Sequence, residues 1–456
     1  LMLVLFIATL DQTIVVTAIP GIGAALGDAT SAPWIATSYL LTSAVTTLIF
    51  GKLGDMYGRK RIFQVSVVIF LVGSLASGVS GSMGMLIACR ALQGIGGGGL
   101  NSLVQAITGD LIPARQRAKY QSCLGIVATL AIIAGPLLGG LFVDQLSWRW
   151  IFFVNLPVGA IALAVIAARL HLPVHHSDRS VDVGGGVLAT VFTTAALLVT
   201  VWGGDRYGWG SWQILGLVVV AVAGFVGYLA VERRAAEPIT PLHLFRRPVF
   251  SISAALFFLS TVVLFAAMLY VPLLMQTVHH YSAFDSGLFL IPLLVGLIGA
   301  TGISGGVVSK TGRYKAFPII GAVLAGGGMY VAGLLGATSP TWLLAVLLVV
   351  VGAGLGFFVQ VSVLAGQNAV DHAHLGVATG ALNFAKTLGG AFGAAVFGAI
   401  LTGHLGGGAM AAFQAVFFWT VPFMGLALLL ALVMREQPLS DEMIEVAAGN
   451  VDVAEY

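Results

Sequence analysis

Charge is what this chain has least of. Only 9% of its 456 residues are Asp, Glu, Lys or Arg, against roughly a quarter in ordinary globular proteins. So few ionisable groups could not wet the exterior of a soluble chain this long, which excludes a disordered chain, a coiled coil and a soluble α/β enzyme. Cysteine is nearly absent too. Cys89 and Cys123 both lie in apolar or membrane-edge segments, so no disulfide framework is suggested. What abounds is apolar side chain: 58% of residues, with a mean hydropathy of +1.01. Most of the exterior must face something other than water.

Windows of about 20 mostly apolar residues recur, each long enough to cross a hydrocarbon core of about 30 Å. They fall near 1–22, 33–54, 62–80, 83–106, 120–143, 150–169, 183–203, 212–231, 251–276, 284–308, 317–336, 341–365, 377–402 and 411–434, predicting fourteen spans. Lipid offers backbone amides no water, and these runs lack the alternation of a barrel, so the spans are predicted as helices. The chain opens inside the first span without Met, so an N-terminal tail is expected to precede it; no cleavable signal peptide is visible.

An even number of spans puts both termini on one side. Seventeen of the 21 lysines and arginines fall on that side. They include Lys52, Arg59, Lys60 and Arg61 in one short loop and Arg115, Arg117 and Lys119 in another. The opposite loops hold only Arg149 and Arg206, while Arg90 and Lys386 fall within spans. The positive-inside rule makes both termini cytoplasmic, which places the chain in the cell membrane as a multi-pass protein. Trp34, Trp148, Trp150, Trp209, Trp212 and Trp342 then gather toward the outer boundary, as interfacial aromatics do.

Two longer polar connections, 170–182 and 232–250, divide the spans into six, a pair, and six. The expected units are 1–170, 171–250 with the inserted pair, 251–434, and a cytoplasmic tail at 435–456. Gly51, Gly58 and Arg59 are echoed by Gly305, Gly312 and Arg313, each set in the turn after the second span of a six-span block. Such parallel repeats imply a site between them near the midplane, with rocking as the motion.

Polar residues inside apolar spans carry the functional reading. Asp11 lies about ten residues into a Leu, Val, Ile and Phe helix, roughly 15 Å deep at 1.5 Å per residue. A carboxylate there must bind a proton, find a cation, or stay protonated in a packing hydrogen bond. Arg90 falls within about one helical turn of the same depth. It either orients polar groups such as Gln93 and tunes Asp11 or only pins helices, and direct contact between the two is left open. Tyr39, Gln93, Gln105, Asn155, Gln276, Gln360 and Asn383 could face a substrate cavity or serve as helix–helix hydrogen bonds. Lys386 could line that cavity or snorkel to the surface.

At the cytoplasmic turn, Gly51, Gly54 and Gly58 argue for tight packing. Asp55 could meet the N-terminus of a helix in the other half, and Arg59 could pair with Asp110; Arg313 is the matching cation of the second copy. Ser309 stands where the first copy has Asp55, so this gate should be asymmetric. Gly135, Pro136, Gly139 and Gly140 would let the fifth helix bend and a neighbour approach. The glycines at 94 and 96–99 follow no strand and precede no Gly-Lys-Ser/Thr, so they read as packing rather than a nucleotide loop. His279, His280, Asp371, His372 and His374 have metal-like spacings but occupy loops on opposite faces, so no metal is expected.

GKLGDMYGRKR at 51–61 resembles the signature loop of the major facilitator superfamily. LDQTIVVTAIP at 10–20 resembles the first-helix motif of its fourteen-helix drug:proton antiporter branch. ACRALQGIGGGG at 88–99, GPLLGG at 135–140 and WRWIFFVNLPVG at 148–159 are similar to that branch's fourth-, fifth- and sixth-helix motifs. Ser122 and Ala131 replace glycines usual in the fifth-helix motif. The loop between 402 and 411 is also short for the branch. The resemblance implies an all-α integral membrane protein with two six-helix bundles plus an inserted pair. It also implies that Arg90 takes part in proton coupling.

The resulting expectation is a monomeric secondary exporter that exchanges lipophilic or amphipathic small molecules for protons. It needs no cofactor beyond the proton and no nucleotide or nucleic-acid partner. The rival readings are a dedicated exporter of one endogenous product and a non-transporting receptor on the same fold. No Ser/His/Asp or metal constellation converges within the spans, which disfavours an enzyme. Antiport requires Asp11 to reach water; a carboxylate sealed from every vestibule would contradict it.

Overall fold

The computed structural model describes residues 1–437 except 29–30, 33, 113, 171–181, 205, 236–237, 239, 282 and 372–373. Among these no strand occurs, and the chain is a succession of helices. The first block comprises α1 (Met2–Leu26), α2 (Trp34–Tyr57), α3 (Arg59–Gly78), α4 (Met83–Leu111), α5 (Ala114–Gln145), the one-turn α6 (Trp150–Phe153) and α7 (Asn155–Arg169). The pair α8 (Val183–Trp202) and α9 (Trp212–Glu232) follows. The last block holds α10 (Pro248–Thr277), the short α11 (Ala283–Leu288), α12 (Leu290–Thr311), α13 (Ala316–Leu334), α14 (Thr341–Asn368), α15 (Leu375–His404) and α16 (Ala409–Val433).

Local sequence sets the helix ends. The Ser82, Asp182 and Ser211 side chains accept the amides of Met85, Gly185 and Ile214, capping α4, α8 and α9. Pro248 opens α10, where its missing N–H removes nothing. Several helices overrun the predicted spans. α4 continues to Leu111 and α5 starts at Ala114, because a helix carries polar turns beyond the apolar run that crosses lipid. Among the described residues, eleven helical rods are long and apolar enough to cross a membrane. α1, α4 and α5 are 25, 29 and 32 residues long.

The repeat is visible in the backbone. Gly58 joins α2 to α3 at φ 90°, and Gly312 ends α12 at φ 70°. Both are left-handed positions that a side chain would strain. Buried side chains of α10 to α16 form one large cluster, with Leu48 of α2 reaching into it. Those of the first block form two, and Ala189, Phe192 and Tyr228 hold α8 to α9. The halves meet chiefly where α5 lies against α12 and α2 against α15.

Candidate functional site

Asp11 has no exposed surface. Its Oδ2 accepts Arg90 Nη1 at 2.5 Å, and its Oδ1 accepts Gln93 Nε2 at 2.9 Å and Asn155 Nδ2 at 2.8 Å. Three donors from α4 and α7 thus converge on one carboxylate of α1, an arrangement suited to its ionised, acceptor-only form. Arg90 is itself held in place. Nε donates to the Ile35 carbonyl at 3.2 Å, Nη1 also reaches Gln93 Oε1 at 2.8 Å, and the guanidinium lies 4.4 Å from the Tyr39 ring centroid. Asn155 Nδ2 also donates to Ser74 Oγ at 3.0 Å, and Ser74 donates to the Phe152 carbonyl. One buried ion pair therefore ties together α1, α2, α3, α4 and α7. Removing one partner of such a pair costs about 3–5 kcal/mol, because the other charge is left buried and alone.

Two expectations need correction here. Tyr39, Gln93 and Asn155 are buried and do not face an open cavity, because Gln93 and Asn155 donate to the carboxylate and the Tyr39 ring lies against Arg90. Asp11 is likewise sealed from water in this conformation.

The second constellation lies at the far end of α2. Arg59 binds Asp55 through Nη2 at 2.7 Å and Nε at 2.9 Å, and its Nη1 is paired with Asp110. Asp55 then crosses to the other half: Oδ1 accepts the Gly376 amide at 3.1 Å and Oδ2 the Val377 amide at 2.8 Å. These are free N–H groups in the first turn of α15, where the helix dipole is positive. A Cβ on Gly51 would fall 2.7 Å from the Gly376 carbonyl oxygen, and one on Gly54 2.5 Å from Leu103 Cδ2, so both glycines permit the approach.

The second copy is built differently. Arg313 is exposed, and among the described residues only its backbone N–H is engaged, by Thr311 Oγ1, so it does not join the Asp55–Arg59–Asp110 set. Glu436, from the segment after α16, instead accepts the amides of Tyr314 at 2.6 Å and Lys315 at 3.0 Å, while the Gln437 amide donates to the Tyr314 hydroxyl. An acid from outside the repeat occupies the turn where Ser309 cannot serve. Nothing in the motif pointed to it.

Polar side chains on the same side of the bundle join the halves. Gln105 and Asn383 exchange bonds of 3.3 and 3.5 Å, Gln121 donates to Gln367 at 2.8 Å, and Gln367 donates to Thr379 at 2.8 Å. Ser122, the departure from the fifth-helix motif, donates to the Thr301 carbonyl at 2.8 Å. Gln121 and Gln367 were missed because a lone amide near a span end carries no motif. Arg117, also overlooked, caps α4 by donating to the Gly109 carbonyl at 2.6 Å.

The remaining candidates scatter. Gln276 donates to Ser286 at 2.8 Å, a tie between α10 and α11 rather than a cavity position. Gln360 is buried within α14. Lys386 lies within α15 with its side chain exposed, and it is not among the residues lining the cavity beside that helix. In α5, Gly135 meets Thr13 of α1, whereas a Cβ on Gly140 would meet nothing within 4 Å. Gly140 therefore makes no close approach, contrary to expectation; Gly139 is buried, and the side chain of Pro136 lies outside the described residues.

Helices arranged in this way, with charges buried between them, define a polytopic membrane protein of transporter architecture. The family model of the Major Facilitator Superfamily matches residues 1–394, and the chain belongs to that family. It is 40% identical over 399 residues to an uncharacterised MFS-type transporter of Mycobacterium tuberculosis, covering 88% of this chain but 58% of that protein. It is 36% identical over 406 residues to the multidrug transporter protein MdtP of Bacillus subtilis, covering 89% of this chain and 75% of the relative. Among solved structures it resembles the human organic anion transporter MFSD10, with a TM-score of 0.67 at 18% identity over 94% of this chain and 97% of that one. The proton:xylose symporter XylE gives 0.66 at 17% identity over 96% of each chain. These two likenesses establish the fold.

Proposed function

We propose that the chain is a proton-coupled exporter of lipophilic or amphipathic small molecules, of the fourteen-helix drug:proton branch, with the Asp55 side facing the cytoplasm. The observation that carries this reading is the Asp11–Arg90–Gln93–Asn155 cluster, a costly charge assembly where apolar packing would suffice for a scaffold. Protonation of Asp11 would remove the charge that Arg90, Gln93 and Asn155 share, freeing α1 from α4 and α7. The enclosed carboxylate counts against antiport in this conformation, so the reading requires these helices to part and open Asp11 to water in another state of the cycle. Asp55 on the first turn of α15 and the glutamine layer hold the halves together on one side, so this conformation is closed toward the cytoplasm. Each proton moving inward supplies about 2.3 kcal/mol per 100 mV of potential. The multidrug names of the Bacillus subtilis relatives support broad substrate tolerance. A dedicated exporter of one product is the second reading, supported by a 36% identical transporter of an acurin A biosynthesis cluster in Aspergillus aculeatus.

The test is purified protein in liposomes with an imposed pH gradient, screened against dyes, lipids and antibiotics. Asp11→Asn should abolish gradient-driven efflux while leaving folded protein in the bilayer. Full coupled efflux by that variant refutes the role.

A further inference from the structure

The inserted pair and the following linker enclose a cavity of about 940 Å³ against α10 and α15. Its walls are apolar and aromatic: Phe192 of α8, Tyr228 of α9, Phe258 of α10, and Phe384 and Ala385 of α15, with Leu48 of α2 at the back. Phe192 packs edge-on against Phe384 at 5.7 Å with the cavity beside it, while α8 also meets α2 where Trp202 packs edge-on against Trp34 at 5.8 Å. α9 otherwise leaves Val219, Val222 and Val226 exposed, the surface of a helix bathed in lipid. The cavity lies beside these exposed apolar faces and shares no lining residue with the Asp11 cluster.

At its rim stand Arg233 and Arg246, both exposed, with neither guanidinium engaged in an ion pair among the described residues. Among the described residues that line it, the one carboxylate is Glu232, which is buried and whose Oε2 accepts the Thr240 amide at 3.1 Å. An apolar chamber beside lipid-facing helices, beneath two exposed cations, matches a ligand with hydrocarbon chains and an anionic head. We propose that this cavity binds a phospholipid with an anionic headgroup, which completes the packing between the inserted pair and the C-terminal helices.

The full chain in detergent is titrated with dioleoylphosphatidylglycerol or dioleoylphosphatidylcholine, with bound lipid read by native mass spectrometry. The anionic lipid should bind at least fivefold more tightly. Arg233→Gln with Arg246→Gln should bring the two lipids level without lowering the lipid-free melting temperature, since both side chains are exposed. Ala385→Trp, which fills the chamber, should remove binding of both; should that variant misfold, the charge variant still decides. Equal binding of the two lipids by the parent, or an unchanged preference in the charge variant, overturns the proposal. Sodium laurate binding as tightly as the anionic lipid also overturns it, assigning the chamber to a transported amphiphile. Efflux is not the readout, so failure here leaves the transport reading standing.

Discussion

Asp55 and Val377, 322 residues apart, are joined by a 2.8 Å bond from a backbone amide to a carboxylate. The same carboxylate binds Arg59, so one side chain reports the state of both halves. Its charge attracts Arg59 and the positive end of α15 together, and breaking the contact between halves releases both amides to water.

Asp55→Asn keeps the shape and removes the charge. A hydrogen bond to a charged group contributes about 1.5–3 kcal/mol, so the closed state should lose roughly tenfold or more in population. Turnover in liposomes should therefore fall by about that factor while substrate affinity, measured by equilibrium binding, changes little. Unchanged turnover with lost binding would show that Asp55 belongs to the substrate site.

Two glycines of α5 separate packing from propensity. Gly135→Ala places a methyl group against Thr13 of α1 and should lower the melting temperature by several degrees. Gly140→Ala meets open space and should be neutral or stabilising, by up to about 1 kcal/mol, because alanine favours the helix. Thermal unfolding of the two variants side by side decides it. Equal destabilisation would mean that α5 requires its glycines for bending.

The Tyr314 hydroxyl gives the turn between α12 and α13 a pH signature. Burial raises its pKa above the ordinary tyrosine value, and the Gln437 amide that donates to it opposes this in part. A folded-state pKa above the unfolded one means stability that is fully present below about pH 10 and lost as pH rises through the raised value. Tyr314→Phe should flatten the melting temperature on that alkaline limb and leave it nearly unchanged at pH 7. A variant with the wild-type alkaline slope would place the titrating group elsewhere.

The fold was legible because lipid permits few solutions: apolar runs become helices, and their flanking cations set the orientation that the proposed mechanism uses. The pairing of Arg59 with Asp55 and Asp110 was legible as well, since Asp55 and Arg59 sit in a tight glycine turn and Asp110 lies near the end of α4. Gln276 took the helix–helix alternative and Arg313 turned outward, because an amide or guanidinium in the right place says nothing about which way it faces. Glu436 and Gln367 escaped notice because their partners lie 122 and 262 residues away.

The sequence by itself determined where helices run and that Asp11 and Arg90 lie at similar depth, since rise per residue is fixed by the backbone. Only the tertiary structure decided that they touch and that Gln93 and Asn155 close the same carboxylate. Depth follows from counting along one helix. Azimuth and neighbour follow from how helices pack against each other, and that depends on every side chain between them.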